Sequence, residues 1–236
     1  FNADVAHQVL NPVHGILLQT DVAMQRPRSS ESLSQTIASV RELATGIQAL
    51  CESLLVFSRS QAVTLESLQP VDLDPIVDAA IEQVTPFAAD RGVRITSGSV
   101  STVVRGQPEL LQQVFVNLLT NAIAHSPAAG TVSIETDGQD GQDGQVSVAV
   151  VDHGSGIDPA DVPHLFERFS PVEGRSRGGH GVGLAICQSI MHSHGGCVVY
   201  RPTPGGGATF EARWPRAGER LPASKRLLQK SFLDRS

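Results

Sequence analysis

Cysteine and aromatic residues are scarce in this sequence of 236 residues. It contains three cysteines, one tryptophan and one tyrosine, and aromatic residues make up 4% of the chain. Cys51, Cys187 and Cys197 are odd in number and show no Cys-x-x-Cys spacing, so neither a disulfide framework nor a zinc site is predicted. A reducing, cytosolic setting therefore fits the chain best.

An excess of positive charge and long apolar runs are also missing. The formal net charge is −6, which excludes the basic surface expected of a nucleic-acid-binding protein. Because no run of about 18 apolar residues occurs, neither a membrane span nor a signal peptide is predicted. The chain begins at Phe1, without a methionine and inside a predicted helix. We therefore expect that an upstream segment has been removed, and any link to a membrane would run through it.

Apolar residues in the first 60 positions recur at helical spacing. Steps of four and three form a heptad seam whose members are Leu33, Ile37, Val40, Ala44, Ile47, Cys51, Leu54 and Ser58. A second stripe, interrupted by Thr20, consists of Ala6, Leu10, Val13, Leu17 and Met24. Pro27 separates the two stripes, and Ser29 or Ser30 is the expected N-cap of the second helix. We predict a helical hairpin over residues 1–62, which a symmetric dimer would complete as a four-helix bundle.

The pattern changes after Pro70 to short β-type runs that alternate with helices. We predict an α+β domain over residues 71–215, behind a linker at 63–70. The predicted helices are 75–89, a long one after Pro108, and 182–194; the predicted strands are 93–96, one near Val103, 131–135, 146–151, 197–201 and 207–213. The Asp- and Gly-rich loop after 136 lacks EF-hand spacing and is interpreted as a surface insertion. A basic tail, 216–236, is either a solvated segment or a docking element.

Three groups of polar residues and glycines stand out against this framework. His7 and Asn11 share a helix face that is not the apolar stripe, so an exposed imidazole is available as a nucleophile. Asn117 and Asn121 point the same way from an otherwise aliphatic helix, which favours a polar ligand over the alternative of buried amides bonded to backbone. Two glycine clusters, starting at Asp152 and at Gly179, are typical of nucleotide loops, although either alone is also typical of a turn.

Other nucleotide-binding patterns do not fit. The Rossmann fingerprint needs its glycines directly after the first strand of a βαβ unit, followed by an acidic residue about 20 positions later. A Walker A Gly-Lys-Ser/Thr sequence is absent. The order of the motifs instead resembles that of the sensor histidine kinases, and the likeness covers almost the whole chain from residue 1 to 215. Residues 1–13 resemble the family's phosphoacceptor box, 117–122 the Asn box, 152–156 the adenine box, 165–169 the Phe box and 179–183 the second glycine box.

The resemblance implies a Bergerat ATP-binding fold, an α/β sandwich with a mixed sheet. His7 would accept the phosphoryl group, Gln8 stands where the family has an acidic neighbour, and Asn11 would align a hydrolytic water. The nucleotide would contact Asn117, Asn121, Asp152, Gly154, Gly156, Phe166, Phe169, Gly179, Gly181, Gly183 and Leu184, with Asn121 as the Mg²⁺ ligand. The resemblance further implies ATP and Mg²⁺ as cofactors, a homodimer, a response-regulator receiver domain as partner, and the cytoplasmic portion of an inner-membrane-anchored sensor.

Two departures from the family pattern leave alternatives open. An amide at Gln8 cannot take a proton, and Ala124 replaces a basic residue common in the family. We expect slow autophosphorylation of His7, transfer to a receiver aspartate, and retained phosphatase activity. The alternatives are a nucleotide-binding sensor with little or no autokinase activity and a Bergerat-type ATPase without a phosphohistidine. Arg175 and Arg177 are either contacts of the γ-phosphate or solvated loop charges.

Overall fold

The computed structural model describes residues 2–25, 29–100, 102–136, 145–167 and 183–215. The chain divides into two compact units, and the division falls between Leu55 and Val56. Across the described ranges, no helix is both long enough and apolar enough to cross a membrane.

The first unit is built from α1 (Asn2–Met24) and most of α2 (Ser30–Gln61). Ser29 caps α2, because its hydroxyl accepts a hydrogen bond from the backbone N–H of Ser32 at 3.2 Å; this is one of the two caps predicted. Gly15 of α1 lies against α2, where an added Cβ would be 3.2 Å from a methyl carbon of Leu43. The missing side chain lets the two helices approach closely.

The hairpin leaves large apolar side chains uncovered. Ile37 of the seam is 67% exposed and Met24 of the partner stripe is 84% exposed. The exposed apolar residues of the described hairpin are Leu10, Leu17, Leu18, Val22, Met24, Leu33, Ile37 and Leu55. Five of these eight residues, Leu10, Leu17, Met24, Leu33 and Ile37, belong to the stripes predicted from the sequence, and one chain alone leaves them exposed.

The second unit contains a five-stranded mixed sheet. Its strand order is β2 (Arg94–Ser97), β4 (Thr131–Thr136), β5 (Gln145–Val151), β7 (Ala208–Pro215) and β6 (Cys197–Pro202). β2 runs parallel to β4, and the other neighbours are antiparallel. The predicted α+β class and mixed sheet are confirmed.

Three helices pack on this sheet: α3 (Leu73–Asp90), α4 (Pro108–His125) and α5 (Gly183–Ser193). Proline at the first position and Glu109 in the first turn favour the start of α4. The aliphatic face of α4 is buried, and Phe115 on that face meets Trp214 of β7 with ring centroids 6.3 Å apart. Side chains alternate along a strand, so Phe210 and Ala212 point into the same core.

A small second sheet was not predicted. β1 (Gln69–Asp72) pairs antiparallel with β3 (Val103–Gly106). The predicted linker at 63–70 thus contains a short 3-10 helix (Leu65–Ser67) and the start of β1. Pro70 argues against a central strand, but a two-stranded ribbon consists only of edges and tolerates it.

Candidate active site

Asp152 is the most constrained residue of the site. It follows β5 directly and is 1% exposed. Its Oδ1 accepts two backbone hydrogen bonds, from Gly154 at 2.9 Å and from Ala208 at 3.1 Å. Its Oδ2 is buried and has no hydrogen-bond partner among the described residues. A buried acceptor without a donor is costly, so this oxygen is suited to a ligand that brings an N–H group.

Glycines allow two loops to interlock around Asp152. A Cβ on Gly154 would collide with the carbonyl oxygen of His125, at the end of α4. Gly207, in the turn between β6 and β7, has φ +109°, and a Cβ there would collide with the carbonyl oxygen of Asp152. Gly156 has φ +74°, a conformation that favours glycine, and lies against the backbone of the same turn.

The two asparagines of α4 have different surroundings. Asn117 accepts a hydrogen bond from Nε2 of Gln113 at 3.0 Å, and its own Nδ2 faces the carbonyl oxygen of Gly183 at 3.5 Å. Asn121 is half-buried and makes no hydrogen bond to the described residues. Asn121 therefore has its whole amide group available to a ligand, whereas Asn117 joins α4 to the start of α5 and keeps one lone pair of its oxygen available.

The first turns of α5 are held in the core. Leu184 is 5% exposed, and the thiol of Cys187 is fully buried, 3.6 Å from the carbonyl oxygen of Val114. Burial raises the pKa of the Cys187 thiol to about 12, against a smaller opposing effect of a hydrogen bond with Asn117. A thiol with such a pKa is not a nucleophile at neutral pH, so Cys187 is a packing residue.

Phe166 follows the loop of Asp152 in the sequence. It is half-buried, and its ring meets Phe210 of β7 edge-on, with centroids 6.5 Å apart and planes at 89°. The neighbouring Leu165 is 1% exposed. This packing holds residues 165 and 166 against the sheet.

Some predicted site residues cannot be placed. Phe169, Gly179 and Gly181 lie outside the described residues, as do the two loop arginines, Arg175 and Arg177. In the first unit, His7 and Gln8 lie in α1, one turn before Asn11, whose side chain is exposed. Pro12 has no N–H, so it cannot donate the helical hydrogen bond to the carbonyl of Gln8.

Sequence reasoning missed the contribution of the turn between β6 and β7. Its glycine run supplies Gly207, and the next residue supplies the Ala208 amide. Thr209, opposite Val151 at the end of β5, is also buried and pairs its hydroxyl with that of Thr203 at 2.9 Å. The three consecutive glycines at 205–207 were the available signal, but the predicted last strand began at 207 and the run was given no role in the site.

Asn121 offers an amide oxygen that could bind a magnesium ion. Among the described residues, no group of three or more His, Cys, Asp or Glu side chains is arranged to hold a metal ion. The free amide oxygen of Asn121 fits this role, because Mg²⁺ prefers oxygen ligands and is often held by few protein groups together with substrate phosphates.

Comparisons with known proteins agree with the two-unit structure. Residues 1–63 match the family described as the His Kinase A (phospho-acceptor) domain. Residues 106–218 match the family described as the histidine kinase-, DNA gyrase B- and HSP90-like ATPase. The first match contains His7, and the second contains all the described residues predicted to contact the nucleotide.

Individual relatives are sensor kinases. The sequence is 31% identical to the sensor-like histidine kinase SenX3 of Mycobacterium tuberculosis H37Rv over 220 residues, which is 91% of this chain and 53% of SenX3. It is 30% identical to the sensor histidine kinase CusS of Escherichia coli K12 over 227 residues, 94% of this chain and 45% of CusS. The chain thus spans about half the length of the curated relatives it matches.

Among solved structures, full-length ShkA in complex with AMPPNP has a TM-score of 0.63 and 27% identity over 93% of this chain and 46% of that one. The order of motifs in the sequence, the mixed-sheet fold and these relatives agree. With a phosphoacceptor domain followed by a histidine kinase-type ATPase domain, the chain belongs to the sensor histidine kinase family.

Proposed function

We propose that this chain is the core of an ATP-dependent protein-histidine kinase that phosphorylates its own His7 and passes the phosphoryl group to an aspartate of a response-regulator receiver domain. The observation that carries this proposal is the buried, unpartnered Oδ2 of Asp152 beside an interlocked pair of glycine loops. An acceptor in that position selects a base with an N–H donor.

Adenine is the base that matches this acceptor. Its exocyclic amine donates hydrogen bonds, whereas guanine has a carbonyl oxygen at the same ring position. Because Gly154 and Ala208 fix Oδ1, Oδ2 is held in place and loses little entropy on binding. Because Gly154 and Gly207 have no side chains, the loop after β5 and the turn before β7 can pack closely around Asp152. We therefore expect the pocket to be preorganised in the absence of ligand.

The phosphates would lie between α4 and the start of α5. Backbone N–H groups at a helix N-terminus attract phosphate, and α5 begins at Gly183 opposite Asn117. Asn121 would hold Mg²⁺, which when bound neutralises charge on the phosphate oxygens. The chain's own contribution at this end of the site is orientation of the γ-phosphoryl group.

The chemical step uses the lone pair of His7 Nε2. That nitrogen forms a bond to the γ-phosphorus while the bond from phosphorus to the β,γ-bridging oxygen breaks, and ADP leaves with the electron pair. The ring keeps its proton on Nδ1. An unperturbed imidazole, with a pKa of about 6.5, is mostly neutral at pH 7.5, so Gln8 need not prevent the attack.

Features of the first unit support two proposed partners, a second copy of the chain and a receiver domain. We propose a homodimer, because a second copy would cover the exposed apolar faces of α1 and α2 and complete a four-helix bundle. Exposed Asn11, one turn after His7, would align a water for hydrolysis of a receiver phosphoaspartate, giving phosphatase activity.

Phosphorylation with ATP labelled on its γ-phosphate tests the proposal. Wild-type protein should acquire an acid-labile, base-stable label, and His7→Ala should not. His14→Ala is the matched control, because His14 is exposed on the same helix and should leave labelling intact. Label retained in His7→Ala, or resistant to acid, would contradict the proposal.

A second candidate is a nucleotide-binding sensor with little or no autokinase activity. Two features favour it: Gln8 in place of an acidic neighbour and Ala124 in place of a basic one. This candidate predicts uptake of ADP with magnesium in calorimetry but no label on His7. Absence of both binding and label would contradict both candidates.

A further inference from the structure

The Asn117 side chain is held at both ends. Its oxygen accepts a hydrogen bond from Nε2 of Gln113, one turn earlier in α4, at 3.0 Å. Its nitrogen faces α5, with the carbonyl oxygen of Gly183 at 3.5 Å. An i, i+4 pair lies on one helix face, so Gln113 and Asn117 form a short relay from α4 to α5.

The two ends of a carboxamide have nearly the same shape but opposite hydrogen-bonding character. The oxygen accepts and can ligate a cation, whereas the NH₂ group only donates. A half-turn about the last side-chain bond would exchange them. The donor on Gln113 and the acceptor on Gly183 both oppose that half-turn, because either contact would become a clash of like groups.

We propose that Gln113 is a positioning residue of the magnesium-nucleotide site. It keeps the carboxamide of Asn117 in one orientation, so that the second lone pair of the oxygen remains available to the metal while the nitrogen fastens the start of α5. This inference rests on the proposed function, since it assigns a role within the same nucleotide site.

The neighbouring polar side chains of α4 make no comparable contact with Asn117. Asn121, one turn further on, has no hydrogen bond to the described residues that would fix its orientation. Gln112 points elsewhere: its Nε2 donates to Oε1 of Gln83 on α3 at 3.2 Å. Gln112 and Gln113 are the same residue type in consecutive positions of one helix, which makes them a matched pair for mutation.

Calorimetric titration with ADP, in excess magnesium and again in EDTA, tests the inference. Gln113→Met keeps the length of the side chain and removes its donor, and Gln112→Met is the control. We expect Gln113→Met to bind ADP about three- to tenfold more weakly with magnesium, the effect of one hydrogen bond, and to match wild type in EDTA. Gln112→Met should match wild type in both.

The outcomes separate the inference from the proposed function. Equal ADP affinities for Gln113→Met and Gln112→Met, or a loss for Gln113→Met that is the same with and without magnesium, would overturn the inference. Wild-type protein that takes up no ADP would contradict the proposed function itself. Thermal unfolding followed by the fluorescence of Trp214, the only tryptophan, verifies folding, and Gln113→Ala gives a second variant with the same expectation.

Discussion

Ala208 donates its backbone N–H to Oδ1 of Asp152 at 3.1 Å, across 56 positions of sequence. Asp152, which we propose binds the base, is therefore oriented by β7, the last strand of the described domain in sequence. Asp152 also donates its own N–H to the carbonyl oxygen of Ala208, at 2.9 Å. The pair exchanges two hydrogen bonds. A substitution in the turn before Ala208 should therefore displace Asp152 and lower the affinity for nucleotide.

Gly207→Ala should weaken both the fold and nucleotide binding. The substitution strains a residue at φ +109° and places a methyl group against the backbone of Asp152. Gly205→Ala is the control, because Gly205 also has positive φ (+87°) but nothing lies within 4 Å of an added Cβ. We expect about 1 kcal/mol of lost stability for the control and a distinctly larger loss, with reduced ADP affinity, for Gly207→Ala. Equal effects of the two variants in unfolding and calorimetry would contradict this account.

Asp152→Asn should lower ADP affinity by at least about tenfold, the scale of a hydrogen bond to a charged group. Asparagine can keep the two backbone contacts through its oxygen, but its NH₂ group would then meet the amine of the base. GDP, with a carbonyl oxygen there, should lose less affinity. Calorimetry with both nucleotides measures the change, and Asp158→Asn, at an exposed carboxylate that accepts from Ala160, should have no effect.

Acidification should destabilise the second unit through His194. Burial lowers the pKa of this imidazole below 6.5, although a hydrogen bond with Ile190 acts the other way. Its Nδ1–H donates to the Ile190 carbonyl at 2.7 Å and its Nε2 accepts from the N–H of Gln107 at 3.0 Å, so the neutral ring is required. The stabilisation is complete above pH 6.5 and is lost as pH falls through the lowered pKa.

Unfolding free energies measured between pH 7.5 and 5 check this expectation. His194→Gln should give a flatter profile, because glutamine cannot be protonated in this range. Burial also lowers the pKa of His192, so part of the slope should survive in the single variant and disappear in a double variant. An unchanged slope in His194→Gln would contradict the assignment.

The hydroxyls of Ser60 and Ser189 should be energetically coupled. They lie 3.0 Å apart, and Ser60, near the end of α2, is only 1% exposed. Changing both serines to alanine, singly and together, should give a coupling free energy of about 1 kcal/mol in unfolding experiments. Ser58→Ala, at an exposed position of the same helix, should change stability little. Strictly additive effects would mean that the contact contributes nothing.

Gln8→Glu should raise the rate of autophosphorylation. A carboxylate next to His7 can orient the ring and accept its proton, and positioned general bases contribute roughly 10²- to 10⁴-fold in rate. Initial rates of label incorporation at saturating ATP measure the effect, with ADP affinity expected to stay constant. A rate that does not rise would show that proton acceptance at this position does not limit the reaction.

Local patterns predicted most of the fold. α4 was recognised from its aliphatic face after Pro108, and the last two strands from short β-type runs. β1 was missed because the strand it pairs with, β3, lies more than 30 positions away and Pro70 disfavours a strand locally. Strand pairing of this kind depends on tertiary contacts that no short window contains.

The sequence predicted some of the candidate site residues and missed others, as it did for the strands and helices. The resemblance to the sensor histidine kinases implied that Asp152 contacts the base. Its burial and its unpartnered Oδ2 support that role, which stays a prediction. For Asn117 and Asn121 the sequence left two interpretations open, a polar ligand or buried amides bonded to backbone. Asn117 is bonded within the protein to Gln113 and Gly183, and its contact with a ligand stays a prediction. Gln113 was not recognised, since a glutamine on a helix carries no local sign that its partner is a site residue.

The position of β7 has a consequence for biosynthesis. The last strand of the sheet in sequence is inserted between β5 and β6, and its first residue holds Asp152. A nascent chain that has emerged only as far as α5 lacks β7, so β5 and β6 have no strand between them and Asp152 lacks its contact with Ala208. If Asp152 binds the base as we propose, nucleotide can stabilise the domain only after translation has passed β7.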